Sequence, residues 1–125
     1  MINILNKFKN KKVFITGHTG FKGSWLTSIL DINGAITKGY SLEPNSIPSL
    51  YNKLNFSNKH SSVIADINDY DSLKSEINDF EPEYIFHLAA QPLVIESYKN
   101  PISTFETNFN GTLNLLEVLR KSKFQ

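Results

Sequence analysis

The chain has 125 residues, 13 basic against 12 acidic side chains, a formal net charge of +1 and no cysteine. A balance this close to zero gives no reason to expect nucleic acid or an anionic membrane as a partner. The missing cysteines exclude disulfides and thiolate-ligated metals, and no metal is expected.

The length suits one domain spanning 1–125, with the composition of an ordinary soluble protein. No run approaches the roughly 18 apolar residues of a membrane span. The opening MINILNKFKNKK lacks the apolar core of a signal peptide. The default compartment is the cytoplasm.

Val13, Phe14 and Ile15 make a short apolar run that predicts a buried strand. Gly17, Gly20 and Gly23 follow at three-residue spacing, and a helix is expected from about 20 to 32. Asn33 and Gly34 form its stop, with Gly34 supplying the left-handed conformation. Residues 35–42 (AITKGYSL) read as a second strand, 43–49 as a proline-bearing loop and 49–54 as a short helix. Residues 62–65 form a third strand ending at Asp66. Asn68 or Asp69 then caps a helix with an apolar face of Tyr70, Leu73, Ile77 and Phe80. Residues 84–88 (YIFHL) read as a fourth strand and 91–100 as a connection through Pro92. A long helix starts near Pro101, with Ile102, Phe105, Phe109, Leu113, Leu116 and Leu119 at helical spacing. Alternating strands and helices imply an α/β fold: a Rossmann-like parallel sheet with helices on both faces. About four strands are expected, in the order 3-2-1-4 of the first half of a doubly wound sheet.

A strand that passes through spaced glycines into a helix is a nucleotide-phosphate site. Gly17 allows the sharp turn, Gly20 a close approach to a pyrophosphate, and Gly23 close packing of helix on strand. Lys22 is a cation in the first helical turn, where the helix dipole disfavours it by about 0.3–1 kcal/mol. A bound anion would relieve that. His18 either reaches the phosphates or ribose or, like Lys22, is a solvated loop residue. Glu43 lies about 20 residues past the glycines, where an acid binds the adenosine ribose hydroxyls and repels a 2′-phosphate. That favours NAD over NADP. Asp66 either contacts adenine or belongs to the turn before the next helix. The fourth strand ends in His87-Leu88-Ala89-Ala90-Gln91, whose small residues leave room for a ligand. His87 itself, inside the strand, reads as a satisfied core histidine. Asn108 has poor helix propensity and either bonds backbone near the site or is simply tolerated.

TGHTGFKGSW at 16–25, AD at 65–66, FHLAAQPLV at 86–94 and TNFNGTLNLLE at 107–117 occur in the order found in the extended short-chain dehydrogenase/reductase superfamily. The chain resembles that superfamily over nearly its whole length. HTGFKGSW with HLAAQPLV is most similar to the CDP-glucose 4,6-dehydratase family. The resemblance implies that Gly17, His18, Thr19, Gly20, Phe21, Lys22 and Gly23 surround the NAD pyrophosphate. It places Asp66 and Ile67 at the adenine, and Leu88, Ala89, Ala90, Gln91 and Asn108 on the ribose and nicotinamide side. Ile95 and Glu96 replace the basic residue that such enzymes tend to carry after PLV. The family's catalytic Tyr-x-x-x-Lys pair and sugar-nucleotide region follow a fifth strand, and no counterpart is found here. Tyr70 and Lys74 match the string but fall on the wrong crossover, so no catalytic residue is assigned. The expectation is the NAD-binding portion of a sugar-nucleotide dehydratase, a lyase, not catalytic alone. The sugar nucleotide is then a partner of the complete enzyme only, and homo-oligomers are possible. The alternatives are a catalytically empty module or gene remnant, and the cofactor half of an epimerase or reductase.

Overall fold

The structure, a computed structural model, describes residues 5–124. Its centre is one parallel sheet in the order β3-β2-β1-β4, as expected. The strands are β1 (Lys12–Thr16), β2 (Ile36–Ser41), β3 (His60–Ile64) and β4 (Tyr84–His87). Strand alternation divides the core between the two faces of the sheet. On one face Val13 and Ile15 of β1 pack with Leu30 and Ala35, beside α1 (Phe21–Ile32). On the other, Phe14 packs with Tyr40, Leu73, Ile77, Leu115 and Val118, under α3 (Tyr70–Phe80) and α6 (Gly111–Lys121). A short helix, α2 (Leu50–Lys53), is capped by Ser49 Oγ, which accepts from Asn52 N–H at 3.2 Å. Asp69, rather than Asn68, caps α3: its Oδ1 accepts from Ser72 N–H at 3.1 Å. No helix among the described residues is long and apolar enough to cross a membrane.

The region after β4 departs from the expected connection and single long helix. Residues 94–99 form α4 (Val94–Lys99), a helix too short to show a period in sequence. Pro101 starts α5 (Pro101–Phe105), and a π-helical turn over Glu106–Asn110 precedes α6. Such a turn widens the helix by one residue and rotates the next turns about the axis. The sheet therefore receives Gly111, Leu115 and Val118. The apolar stripe at helical spacing instead faces outward from Ile102 to Leu116, with Phe105 71%, Phe109 64% and Leu116 59% exposed, and only its last member, Leu119, packs against the core.

His18 does not reach out towards a ligand. Its side chain is fully buried, with Nε2 at 2.6 Å from Ser62 Oγ of β3 and the ring lying on Gly39 of β2. A Cβ at position 39 would stand 2.2 Å from the imidazole Cγ, so only glycine fits there. Tyr51 meets the ring edge-on at 5.0 Å, and His60 lies at 6.0 Å. Burial first, then the neighbouring His60, lower the His18 pKa from 6.5 to about 4 against an opposing pull from the Tyr40 backbone.

This shift has a definite sign. The unfolded chain takes up a proton at His18 below about pH 6.5, while the folded chain resists until about pH 4. The contribution is complete above 6.5 and is lost as the pH falls towards 4. Its size is on the order of 3 kcal/mol. Burial lowers His60 and His87 in the same direction. The urea midpoint should therefore drop between pH 7 and pH 4.5, and His18→Asn should flatten that slope. A midpoint independent of pH would contradict this account.

The 125-residue chain should also self-associate. β4 is an edge strand, and the outward stripe adds large apolar side chains beside it. Light scattering should detect oligomers, and a Phe105→Lys/Leu113→Lys double variant should reduce them. A monodisperse wild-type monomer would refute the expectation.

Candidate functional site

The carboxyl ends of the strands open into a cleft of about 680 Å³ at the point where strand order reverses between β1 and β4. Its floor is the glycine turn. Gly17 has φ +74°, a left-handed backbone that glycine adopts without strain. A Cβ there would also stand 2.6 Å from Ala89 N. A Cβ on Gly23 would stand 2.0 Å from the Gly17 carbonyl oxygen, so α1 starts in direct contact with the turn. Gly20 is the N-cap of α1, and Ser24 Oγ donates to its carbonyl at 2.7 Å.

Thr19 ties this turn to the next wall. Its Oγ1 donates to Leu42 O at 2.8 Å and lies 2.9 Å from Ser41 Oγ. Lys22 lines the cleft in a helical first turn that contains no acidic residue. The positive end of the α1 dipole and Lys22 thus border the same space, an arrangement suited to an anion. Phe21, also on the lining, is 72% exposed.

Glu43 stands on the lining just past β2, beside Leu42 and Asn45. Asp66 and Ile67 line the cleft past β3. Asp66 serves the turn as well, since its Oδ1 accepts from Asn68 N–H at 2.9 Å and its carbonyl accepts from Tyr40 O–H at 3.0 Å. Leu88, Ala89 and Ala90 form the wall beyond β4.

Three residues expected at the site lie off the lining. His18 is turned into the β2–β3 side, under Gly39 and Ser62. Gln91 and Asn108 hold the lining from behind. Asn108 Oδ1 accepts from Gln91 N–H at 2.7 Å, and its Nδ2 donates to Gln91 O at 3.2 Å. Asn108 therefore bonds backbone near the site, the first of its two readings. The Gln91 side chain donates to Thr104 Oγ1 at 2.9 Å and accepts from Leu93 N–H at 2.6 Å. His87 is a satisfied core histidine: Nδ1 lies 2.7 Å from Thr16 Oγ1 and Nε2 2.9 Å from Thr112 Oγ1.

Sequence reasoning passed over Leu42, Asn45, Pro92 and Thr107, which share the lining. Leu42 and Asn45 flank Glu43, so their place after a strand was the available signal. Pro92 and Thr107 fall inside the motifs at 86–94 and 107–117, which were the available signal, although the π turn that brings Thr107 to the cleft leaves no mark in the apolar pattern. Tyr70 and Lys74 stand on α3 outside the cleft lining. No cluster of His, Cys, Asp or Glu among the described residues could hold a metal.

A model of the GDP-mannose 4,6 dehydratase family matches residues 14–125. CDP-glucose 4,6-dehydratase of Salmonella typhimurium is 48% identical over 116 residues, covering 93% of this chain and 32% of that protein. GDP-mannose 4,6-dehydratase of Yersinia enterocolitica is 31% identical, over 88% of this chain and 31% of that protein. Among solved structures, the epimerase Mth375 of Methanothermobacter thermautotrophicus superposes with a TM-score of 0.85 at 29% identity, covering 98% of this chain and 35% of that one. UDP-glucose-4-epimerase of Stenotrophomonas maltophila, solved with bound NAD and formylated UDP-arabinopyranose, gives 0.80 at 26% identity, covering 92% and 35%. The chain spans about a third of the length of these relatives. With the family model matched from β1 onward, and with the Rossmann-like sheet and glycine turn in place, the chain belongs to the GDP-mannose 4,6 dehydratase family of the extended short-chain dehydrogenase/reductases.

Proposed function

We propose that this chain is the NAD-binding portion of a sugar-nucleotide dehydratase of the CDP-glucose 4,6-dehydratase type. The observation that carries the reading is the cleft itself. An anion-ready glycine turn lies at its floor, with Glu43 on one wall and small residues past β4 on another. Free N–H groups at the start of α1, with Lys22, receive the pyrophosphate. Glu43 accepts hydrogen bonds from the adenosine ribose hydroxyls, and Asp66 and Ile67 flank the adenine. Ala89 and Ala90 leave room on the nicotinamide side. The Salmonella relative and the NAD-bound Stenotrophomonas epimerase support this assignment.

Bound NAD supplies a reversible hydride acceptor for a reaction in which C4 of the hexose is oxidised, water is lost across C5–C6 and the hydride returns. The residues of this cleft bind and orient the cofactor. None of those described supplies a Tyr–Lys acid–base pair to it. The sugar nucleotide and the acid–base chemistry belong to the whole protein.

Titration calorimetry should show NAD binding more tightly than NADP by about tenfold or more, because a hydrogen bond to a charged group contributes roughly 1.5–3 kcal/mol. Glu43→Gln should shrink that preference. Equal or tighter NADP binding by the wild type would overturn the assignment of Glu43.

With CDP-glucose and NAD, the purified chain should form no 4-keto product. General acid–base groups typically contribute about 10²–10⁴-fold to a rate, and among the described residues no Tyr-x-x-x-Lys pair lines the cleft. Detectable product would move attention to Tyr70 and Lys74.

A further inference from the structure

Thr16 and His87 are register partners on β1 and β4, both on the sheet face covered by α6. We propose that His87 is a positioning residue for the cofactor wall: it holds residues 88–91 through a one-way chain of hydrogen bonds that runs from Thr16 through His87 and Thr112 to Asn108. The proposal deepens the reading of the cleft as an NAD site and rests on it.

The direction of the chain is set by counting protons and lone pairs. A threonine hydroxyl has one proton and two lone pairs. Thr16 Oγ1 accepts from the Ala89 N–H at 3.1 Å and from the Leu88 N–H, also at 3.1 Å, which it shares with the Thr16 carbonyl oxygen at 3.1 Å. Its proton is then directed to His87 Nδ1, 2.7 Å away. Nδ1 must accept, so the neutral ring carries its proton on Nε2 and donates it to Thr112 Oγ1 at 2.9 Å. Thr112 Oγ1 donates to Asn108 O at 2.7 Å, and a carbonyl can only accept. The opposite tautomer would add a further donor to Thr16 Oγ1, which already receives the Ala89 N–H and a share of the Leu88 N–H. It would also take the Thr112 proton away from Asn108.

The chain returns to the loop where it began. Thr16 grips the first two residues of the wall by their N–H groups. Asn108 grips Gln91 by both N–H and C=O. Among the described residues, His87 is the side chain that joins these grips through the interior, and it stays neutral because burial lowers its pKa. His87 is absent from the cleft lining, so it acts on a ligand only through the loop.

The test reads tautomer and loop protection in the 125-residue chain. Magic-angle-spinning ¹⁵N spectra, which tolerate self-association, should show His87 at pH 7 as the neutral Nε2–H tautomer. An Nδ1–H ring or an imidazolium overturns the proposal. Thr112→Val removes the acceptor for Nε2 and the donor for Asn108. Hydrogen exchange at Ala89 should then rise about tenfold relative to Ile85 and Phe86 of β4, the scale of one net hydrogen bond, and at Leu88 by less, since its N–H keeps the Thr16 carbonyl. His87→Gln, which keeps a donor and an acceptor, should exchange more slowly at these positions than His87→Leu. A folded Thr112→Val chain whose β4 and loop amides change uniformly, or not at all, overturns the proposal. Both readouts are taken without nucleotide. A wild-type chain that failed to bind NAD would therefore count against the proposed function and not against the role of His87.

Discussion

The carbonyl oxygen of Gly17 occupies the place where a side chain at position 23 would be. That backbone contact, 2.0 Å from an imagined Cβ, fixes the start of α1 against the end of β1. The same Gly17 presses on the backbone of Leu88 and Ala89, where a Cβ would stand within 2.6–2.7 Å. Three elements therefore meet through atoms that have no rotamers. The phosphate end of the cleft is a rigid junction of main chain, and its N–H donors are preset before any anion arrives. Any side chain at 17 or 23 must separate helix, strand and loop together.

The two sides of the cleft are built differently around this junction. On the β2 side, hydroxyls do the joining: Thr19 meets Ser41 and Leu42 within a single hydrogen-bond layer. Beneath it the buried His18 ring replaces what would otherwise be an apolar contact, and Gly39 gives it space. Burying a neutral imidazole with one bonded nitrogen is feasible only while the ring stays uncharged. On the β4 side, the wall has small side chains and depends on groups behind it. Gln91 and Asn108 form no part of the lining, yet between them they make five of the hydrogen bonds that hold it: two between each other and three from the Gln91 amide to Leu93 and Thr104.

Features carried by local chemistry were legible in the sequence. Spaced glycines after an apolar run gave the turn, and alternating strand and helix patterns gave the 3-2-1-4 sheet. Gly34 was readable as a stop, and its φ is +82°. Features set by relative orientation were not legible. Inside a tight turn no periodicity says which way a side chain leaves, so the burial of His18 was hidden. The six-residue α4 is too short for a period to emerge. The π turn shifts the helix phase without a compositional signal. The apolar spacing from Ile102 to Leu119 was therefore real, while of the face it marked only Leu119 packs against the core. Asn108 shows the intermediate case. Its poor helix propensity hinted at a backbone bond, but only the fold identifies Gln91 as the partner.

The start of α6 connects the two ends of the cleft. Gly111 lies so close to Ile67 that a Cβ would stand 2.5 Å from its Cγ2. Asn114 Nδ2 reaches the carbonyls of Ile67 and Asn68 at 3.2 and 3.3 Å. Thr112, between them in sequence, bonds His87 below the β4 wall. One helical turn thus holds the loop after β3 and the loop after β4 at a set separation. The π turn just before it is what allows this. Its extra residue puts Asn108 over Gln91 while Gly111 and Asn114 meet the loop after β3 and Thr112 meets His87 of β4. A regular helix through 106–110 would rotate one group away as it brought the other in. The irregularity in the helix is therefore the geometric condition for holding both walls from a single element.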